Sequence, residues 1–162
     1  MTATSGTLSL YRAALAGVPA TLAMDLGTRA IVAPALGVQA PGPKELGRWV
    51  GPMRHGRFRH PDITTAPAMR CEAVIGILTH YAIGLRLAAG YGLLLRAGRA
   101  RRGSIPLALA YGTAITGFSW FVMFPATGKG AIRRGENPKL AAFSLCNHIV
   151  YGLALGTVCH PF

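Results

Sequence analysis

Charge is scarce in this sequence, and most of what there is has one sign. Only 14% of the 162 residues are Asp, Glu, Lys or Arg, whereas a soluble domain carries about 25%. Five acids face seventeen Lys and Arg, for a formal net charge of +12. Cysteine is scarce too. Cys71, Cys146 and Cys159 make an odd set with no CxxC pair, which argues against a disulfide framework and a thiolate zinc site. A nucleophile elbow, a P-loop, an HExxH helix and a dinucleotide fingerprint are all missing. "GKGA" at Gly128 to Ala131 lacks the strand and the spacing that a P-loop requires. The sequence names no cofactor.

What is plentiful is apolar sequence in long runs. Half of the chain is hydrophobic (51%), and four stretches reach the roughly 20 residues needed to cross a hydrocarbon core. They cover about 8–35, 71–95, 105–126 and 140–158. The first carries Asp25 and is too long for a signal peptide, so it is expected to remain as a membrane helix. The expected architecture is all-α: one integral membrane domain over 1–162, a four-helix transmembrane bundle. The basic surplus sits in the links between the apolar blocks. A nucleic-acid footprint would be one continuous basic face, so the expected partners are the bilayer and anionic lipid headgroups, not nucleic acid.

The first link is long and rich in Pro, Gly and Arg. Within it Leu46, Trp49, Val50 and Met53 fall at helical spacing, which predicts a short interfacial helix with Trp49 at headgroup level. Links one and three lie on one side of the membrane and hold ten Lys and Arg, against five on the other side. That asymmetry puts the long loop in the cytoplasm and both termini outside an inner membrane.

The chain also resembles itself. "HYAIGLRLA" from His80 matches "HIVYGLALG" from His148, "GVPAT" from Gly17 matches "GTAIT" from Gly112, and "PALG" from Pro34 matches "PATG" from Pro125. The pattern predicts two tandem helical hairpins, an arrangement that transporters use with sites at the repeat interface. Gly76, His80, Gly84, Ala88 and Gly92 form a spacing-four ridge, and so do Ser144, His148, Gly152, Gly156 and His160. Small residues along a ridge let helices approach closely, so both histidines are expected to face other helices. The ridges also suit docking into a homo-oligomer or a larger complex.

Ionisable residues inside the apolar blocks need an explanation, because a charge at mid-membrane costs at least about 2.5 kcal/mol. Gly17, Thr21, Asp25 and Arg29 share a spacing-four ridge, on which Asp25 and Arg29 could pair. Asp25, His80 and His148 fall at similar depth and form the candidate proton or metal site. Glu72 lies two turns below His80 as a second-rank partner. Arg86 is off the histidine face, and it either reaches Asp25 or snorkels outward. The candidate polar core is therefore Asp25, Arg29, Glu72, His80, Arg86 and His148. In the first link, Arg54, Arg57, Arg59 and His60 make a candidate contact for anionic lipid or phosphate.

Taken together, "GVPATLAMDL", "LGRWVGPMRHGRFRH", "THYAIG", "FVMFPATGKG" and "NPKLAAFSLCNHIVYGLAL" resemble an uncharacterised bacterial and fungal membrane family, domain of unknown function 2938. The resemblance runs from about Leu10 to about Thr157. It implies a four-helix membrane protein and matches the family pattern at Asp25, Gly47-Arg48-Trp49, Gly56-Arg57-Phe58, His60, Glu72, His80-Tyr81, Gly84, Pro125, Pro138 and His148. The chain departs from the pattern at Pro52, Cys71 and Phe124, where the family has histidine, glycine and glutamine. The resemblance implies no activity. Three readings follow from the residues: a membrane protein handling a proton, ion or small solute or serving as an accessory subunit, a membrane-embedded enzyme on a lipid-soluble substrate, and a structural subunit.

Overall fold

The computed structural model describes residues 10–98, 104–130 and 137–159. All regular structure among them is helical. Four helices are long and apolar enough to cross a membrane: α1 (Leu10–Leu36), α3 (Glu72–Ala97), α4 (Ile105–Ala126) and α5 (Pro138–Val158). A short helix, α2 (Pro43–Val50), lies between the first two and runs into a 3-10 turn over Gly51–His55. His160, and the arginines of 99–102 and 133–134, lie outside the described residues.

Local chemistry sets the helix ends. Gly37 adopts φ +61° and closes α1, a left-handed cap that costs glycine nothing. Ser104 caps α4 by accepting from the Leu107 N–H, with Pro106 following in the first turn. Pro138 opens α5, where its missing N–H would have had no partner in any case.

Two of the long helices change pitch near the same end of the bundle. α1 has a π segment at Thr28–Val32 and α4 has one at Ser119–Met123. A proline follows each after one intervening residue, Pro34 and Pro125. Proline removes a ladder hydrogen bond and crowds the carbonyl four residues back. The wider π turn makes room for the ring.

Small residues set the packing. α1 lies against both α3 and α5, and α4 lies against α5. A Cβ on Gly17 would stand 2.6 Å from the Gly84 carbonyl oxygen, and one on Gly112 would stand 2.3 Å from that of His148. Backbones thus touch at both crossings, as small-residue ridges permit. Ala16, Ala20, Met24, Ala88, Tyr91, Ala108, Tyr151 and Leu155 form the main core. Leu26, Ile31, Leu78, Phe118 and Phe121 point outward, as lipid-facing residues should.

α2 runs antiparallel to the first turns of α3. Gly47 sits on the Glu72 backbone and Gly76 on the Pro43 backbone, each so close that a Cβ would stand 1.8 Å from a carbonyl oxygen. Its apolar face is turned inward. Leu46, Trp49, Val50 and Met53 pack with Ile63 and Ala126. Trp49 belongs to that inward face. It is buried, its indole N–H donates to the Phe58 carbonyl at 3.0 Å, and its ring lies against Phe118. The loop folding back over α2 supplies that acceptor.

Candidate functional site, an intramembrane carboxylate and histidine

The Gly17–Thr21–Asp25 ridge of α1 faces the His80–Gly84 ridge of α3. Gly84 packs against the Thr21 side chain. One turn away the same contact brings Asp25 Oδ1 to 3.0 Å from His80 Nε2. The two side chains are 28% and 33% exposed, so the pair stands at the edge of the helix contact. Glycine at 84 and 17 lets the backbones close, and the two longer side chains meet beside that contact. An Nε2–H on the ring would donate to that carboxylate oxygen, so the donor is set by the tautomer of the imidazole.

His148 is held differently. Its Nδ1 lies 2.8 Å from the Ser144 carbonyl in its own helix. A carbonyl only accepts, so Nδ1 carries a hydrogen and Nε2 is left free to accept when the ring is neutral. Gly27 of α1 meets Val150 of α5, which fixes the relative depth of the two helices. At 1.5 Å per residue, His148 lies about 6 Å nearer the α2 end of the bundle than Asp25. Next to it, the Asn147 side-chain oxygen is buried without a hydrogen-bond partner, as is the Thr21 hydroxyl one turn beyond Asp25.

No three His, Cys, Asp or Glu side chains among the described residues come together as a metal site. The metal reading of Asp25, His80 and His148 is corrected on that ground: two of the three meet, and His148 is tied to Ser144. Two other expectations, for Arg29 and Glu72, are corrected with it. Asp25 pairs across helices with His80 and not with Arg29, because α1 changes to π turns at Thr28 and the spacing-four alignment stops there. Of the two placements expected for Arg86, the exposed side chain fits the outward one, and it forms no ion pair with Asp25. Glu72 serves α2 and not His80. Its carboxylate accepts from Arg48 Nε at 2.7 Å, from Arg48 Nη2 at 3.0 Å and from the Met69 N–H at 2.9 Å.

In the loop, Arg54, Arg57 and Arg59 are exposed beside Phe58, but His60 is not. His60 is 5% exposed, its N–H donates to the Ala126 carbonyl, and neither ring nitrogen has a partner. Burial and the nearby Arg57 hold its pKa below the ordinary histidine value. It is thus removed from the expected lipid-contact set.

Sequence reasoning also missed three tyrosines and two ion pairs. Tyr151, Tyr111 and Tyr91 donate to the carbonyls of Gly84, Leu87 and Ser104 at 2.7, 2.8 and 2.9 Å. Lys129 pairs with Glu45, joining the end of α4 to α2. No spacing rule links Arg48 to Glu72 or Lys129 to Glu45, since each partner lies on a separate element. The resemblance was the one available signal for the first pair. Its matched positions Gly47, Arg48, Trp49 and Glu72 come together where α2 meets α3.

No curated protein and no solved structure matches the chain. A family model described as a protein of unknown function, domain of unknown function 2938, matches residues 14–160. With nearly the whole chain so covered, and with four helices fit to cross a membrane, the protein belongs to the domain of unknown function 2938 family.

Proposed function

We propose that this protein resides in an inner membrane, with both termini outside, and that its Asp25–His80 pair takes up and releases a proton in the course of moving an ion or small solute. The observation that carries the reading is the 3.0 Å contact between a carboxylate and an imidazole inside two membrane-spanning helices. The pair is neutral overall as a carboxylate against an imidazolium or as a carboxyl group against a neutral imidazole. Gaining or losing a proton leaves one net charge, which at mid-membrane costs at least about 2.5 kcal/mol. Proton exchange at the pair is thereby tied to whatever offsets that charge, such as a moving ion.

Three further features support the reading. The unpartnered Thr21 hydroxyl and Asn147 oxygen are buried, and buried polar groups of this kind are where ordered water finds its partners. The two backbone crossings, Gly17 at Gly84 and Gly112 at Gly152, fall at the matched sequence positions. With the two π segments, they favour a tandem hairpin repeat, whose interface is where transporters place their sites. Exposed Arg54, Arg57 and Arg59 beside Phe58 suit anionic headgroups on the cytoplasmic side.

The test is infrared difference spectroscopy on full-length protein in liposomes, titrated between about pH 5 and 8. A carboxyl signal should appear with pH and vanish in Asp25→Asn, and it should shift in His80→Gln. Proton flux into the same liposomes should drop in both variants and hold in the double variant Arg57→Gln, Arg59→Gln. No titrating signal from Asp25 anywhere in that range would defeat the reading.

A further inference from the structure

A groove of about 460 Å³ opens between α1 and α2, with Arg29, Gln39, Lys44, Glu45, Arg48 and Thr64 among its lining residues. Its charges are out of balance. Glu45 is spent on Lys129 and Glu72 on Arg48. Arg48 is committed to Glu72, and a third contact goes to the Thr64 carbonyl. Asp25, one turn above on α1, is bound to His80. Three cations thus line the groove against one carboxylate, and with Arg48 held by Glu72, Arg29 and Lys44 are the surplus. Both are exposed. Lys44 stands in the field of Glu72, a carboxylate already gripped by Arg48.

The position of the groove says what neutralises them. Arg29 lies seven residues inside the end of α1 at Leu36, which is about 10 Å along the axis. A long arginine side chain at that depth can extend along the helix and bring its guanidinium to the phosphates of the headgroup layer. Arg29 also sits in the π segment Thr28–Val32, a distortion often found at functional sites.

We propose that this groove binds a phosphate-bearing anion, with Arg29 and Lys44 as its charged contacts, Gln39 as a neutral hydrogen-bonding group and the Arg48–Glu72 pair as a fixed wall. A phospholipid headgroup and a free phosphate compound share that chemistry. The site is distinct from the exposed arginines of the following loop and does not depend on proton exchange at Asp25–His80.

The experiment uses full-length protein in a neutral detergent. Its probes are phosphatidylglycerol, phosphatidylcholine and inorganic phosphate, read by native mass spectrometry and by the shift in Tm. Phosphatidylglycerol should bind with defined stoichiometry and more tightly than phosphatidylcholine. The double variant Arg29→Gln, Lys44→Gln should weaken it about tenfold or more, since both charge-assisted contacts are removed. The charge-keeping variant Arg29→Lys, Lys44→Arg should retain it, which separates lost binding from lost folding. Inorganic phosphate that binds and displaces the lipid identifies a soluble phosphate compound as occupant, and phosphate without effect identifies the lipid. Binding of neither probe overturns the proposal. So does equal loss in Arg57→Gln, Arg59→Gln.

Discussion

The Arg48 guanidinium holds the Glu72 carboxylate by two hydrogen bonds, Nε to Oε2 at 2.7 Å and Nη2 to Oε1 at 3.0 Å. This fork-to-fork geometry is the strongest form of side-chain pairing. It fastens a short helix to the first turn of a membrane helix. Lysine cannot reproduce it, having a single point charge in place of a planar fork. Arg48→Lys is therefore expected to lower Tm in detergent, and Glu72→Gln to lower it further, because Arg48 would keep its charge beside a neutral amide. The double variant Arg48→Met, Glu72→Met should recover much of the loss, as paired replacements by apolar groups do. A double variant no better than the worse single one would show that the helix is held by its other contacts.

Close backbone approach gives a second set of expectations. Gly47→Ala and Gly76→Ala each push a methyl group to within 1.8 Å of a carbonyl oxygen, and backbone cannot step aside as a side chain can. Each should cost about 3 kcal/mol, the upper end of the usual overpacking range. Gly112→Ala and Gly152→Ala, at 2.3 and 2.4 Å from backbone oxygens, should cost about 1–3 kcal/mol. Gly27→Ala meets only Val150 Cγ1 at 3.5 Å and should be neutral or stabilise by up to about 1 kcal/mol, through the better helix propensity of alanine. Unfolding in mixed micelles measures all five. An order in which Gly27→Ala ranks with the others would contradict the packing.

These glycines also show what was legible from the sequence. The four spans stand at Leu10–Leu36, Glu72–Ala97, Ile105–Ala126 and Pro138–Val158, and apart from Leu10, where the described residues begin, their ends fall within two residues of the expected bounds, because the length of an apolar run is set by the bilayer. The spacing-four ridges were legible too, and they led to Asp25 and His80. What failed were one-dimensional inferences about partners. Arg29 lies one nominal turn from Asp25, but a π segment intervenes. The spacing of Trp49 gave no sign that its indole N–H would be tied to the Phe58 carbonyl. His60 looked like part of a basic loop, yet the chain turns it inward against Ala126. Each failure concerns a contact made by a segment distant in sequence, which periodicity does not encode.

Burial of His60 makes the stability of this loop depend on pH. Its pKa is depressed by desolvation and by Arg57, so the unfolded chain binds the proton more readily. The stabilising contribution is complete above the ordinary histidine value of about 6.5 and is lost as pH falls through the depressed folded value. Asp62 acts in the same direction at lower pH. Hydrogen bonds from Thr64 depress its pKa, so its share is lost only below about pH 3.9. Tm should fall between about pH 7.5 and pH 5.5, and His60→Leu should flatten that slope. A wild-type Tm that stays level across this interval would mean that His60 binds its proton equally well folded and unfolded.

The last expectation separates a pair from a triad. Asp25 and His80 touch, whereas His148 is bonded within its own helix. A double-mutant cycle between Asp25→Ala and His80→Ala should therefore show coupling of about 0.6 to 2 kcal/mol, the span measured for hydrogen bonds between membrane helices. Cycles pairing His148→Ala with either residue should be additive within about 0.5 kcal/mol. Coupling is a statement about contact, so it holds whether or not the pair moves protons. A large Asp25–His80 coupling alongside a wild-type infrared titration in His80→Gln would make the pair a structural clasp. The same coupling with a shifted titration would join the contact to the chemistry. Coupling of His148 as large as that of the pair would mean that all three residues meet, and would reopen the metal geometry that the described residues do not show.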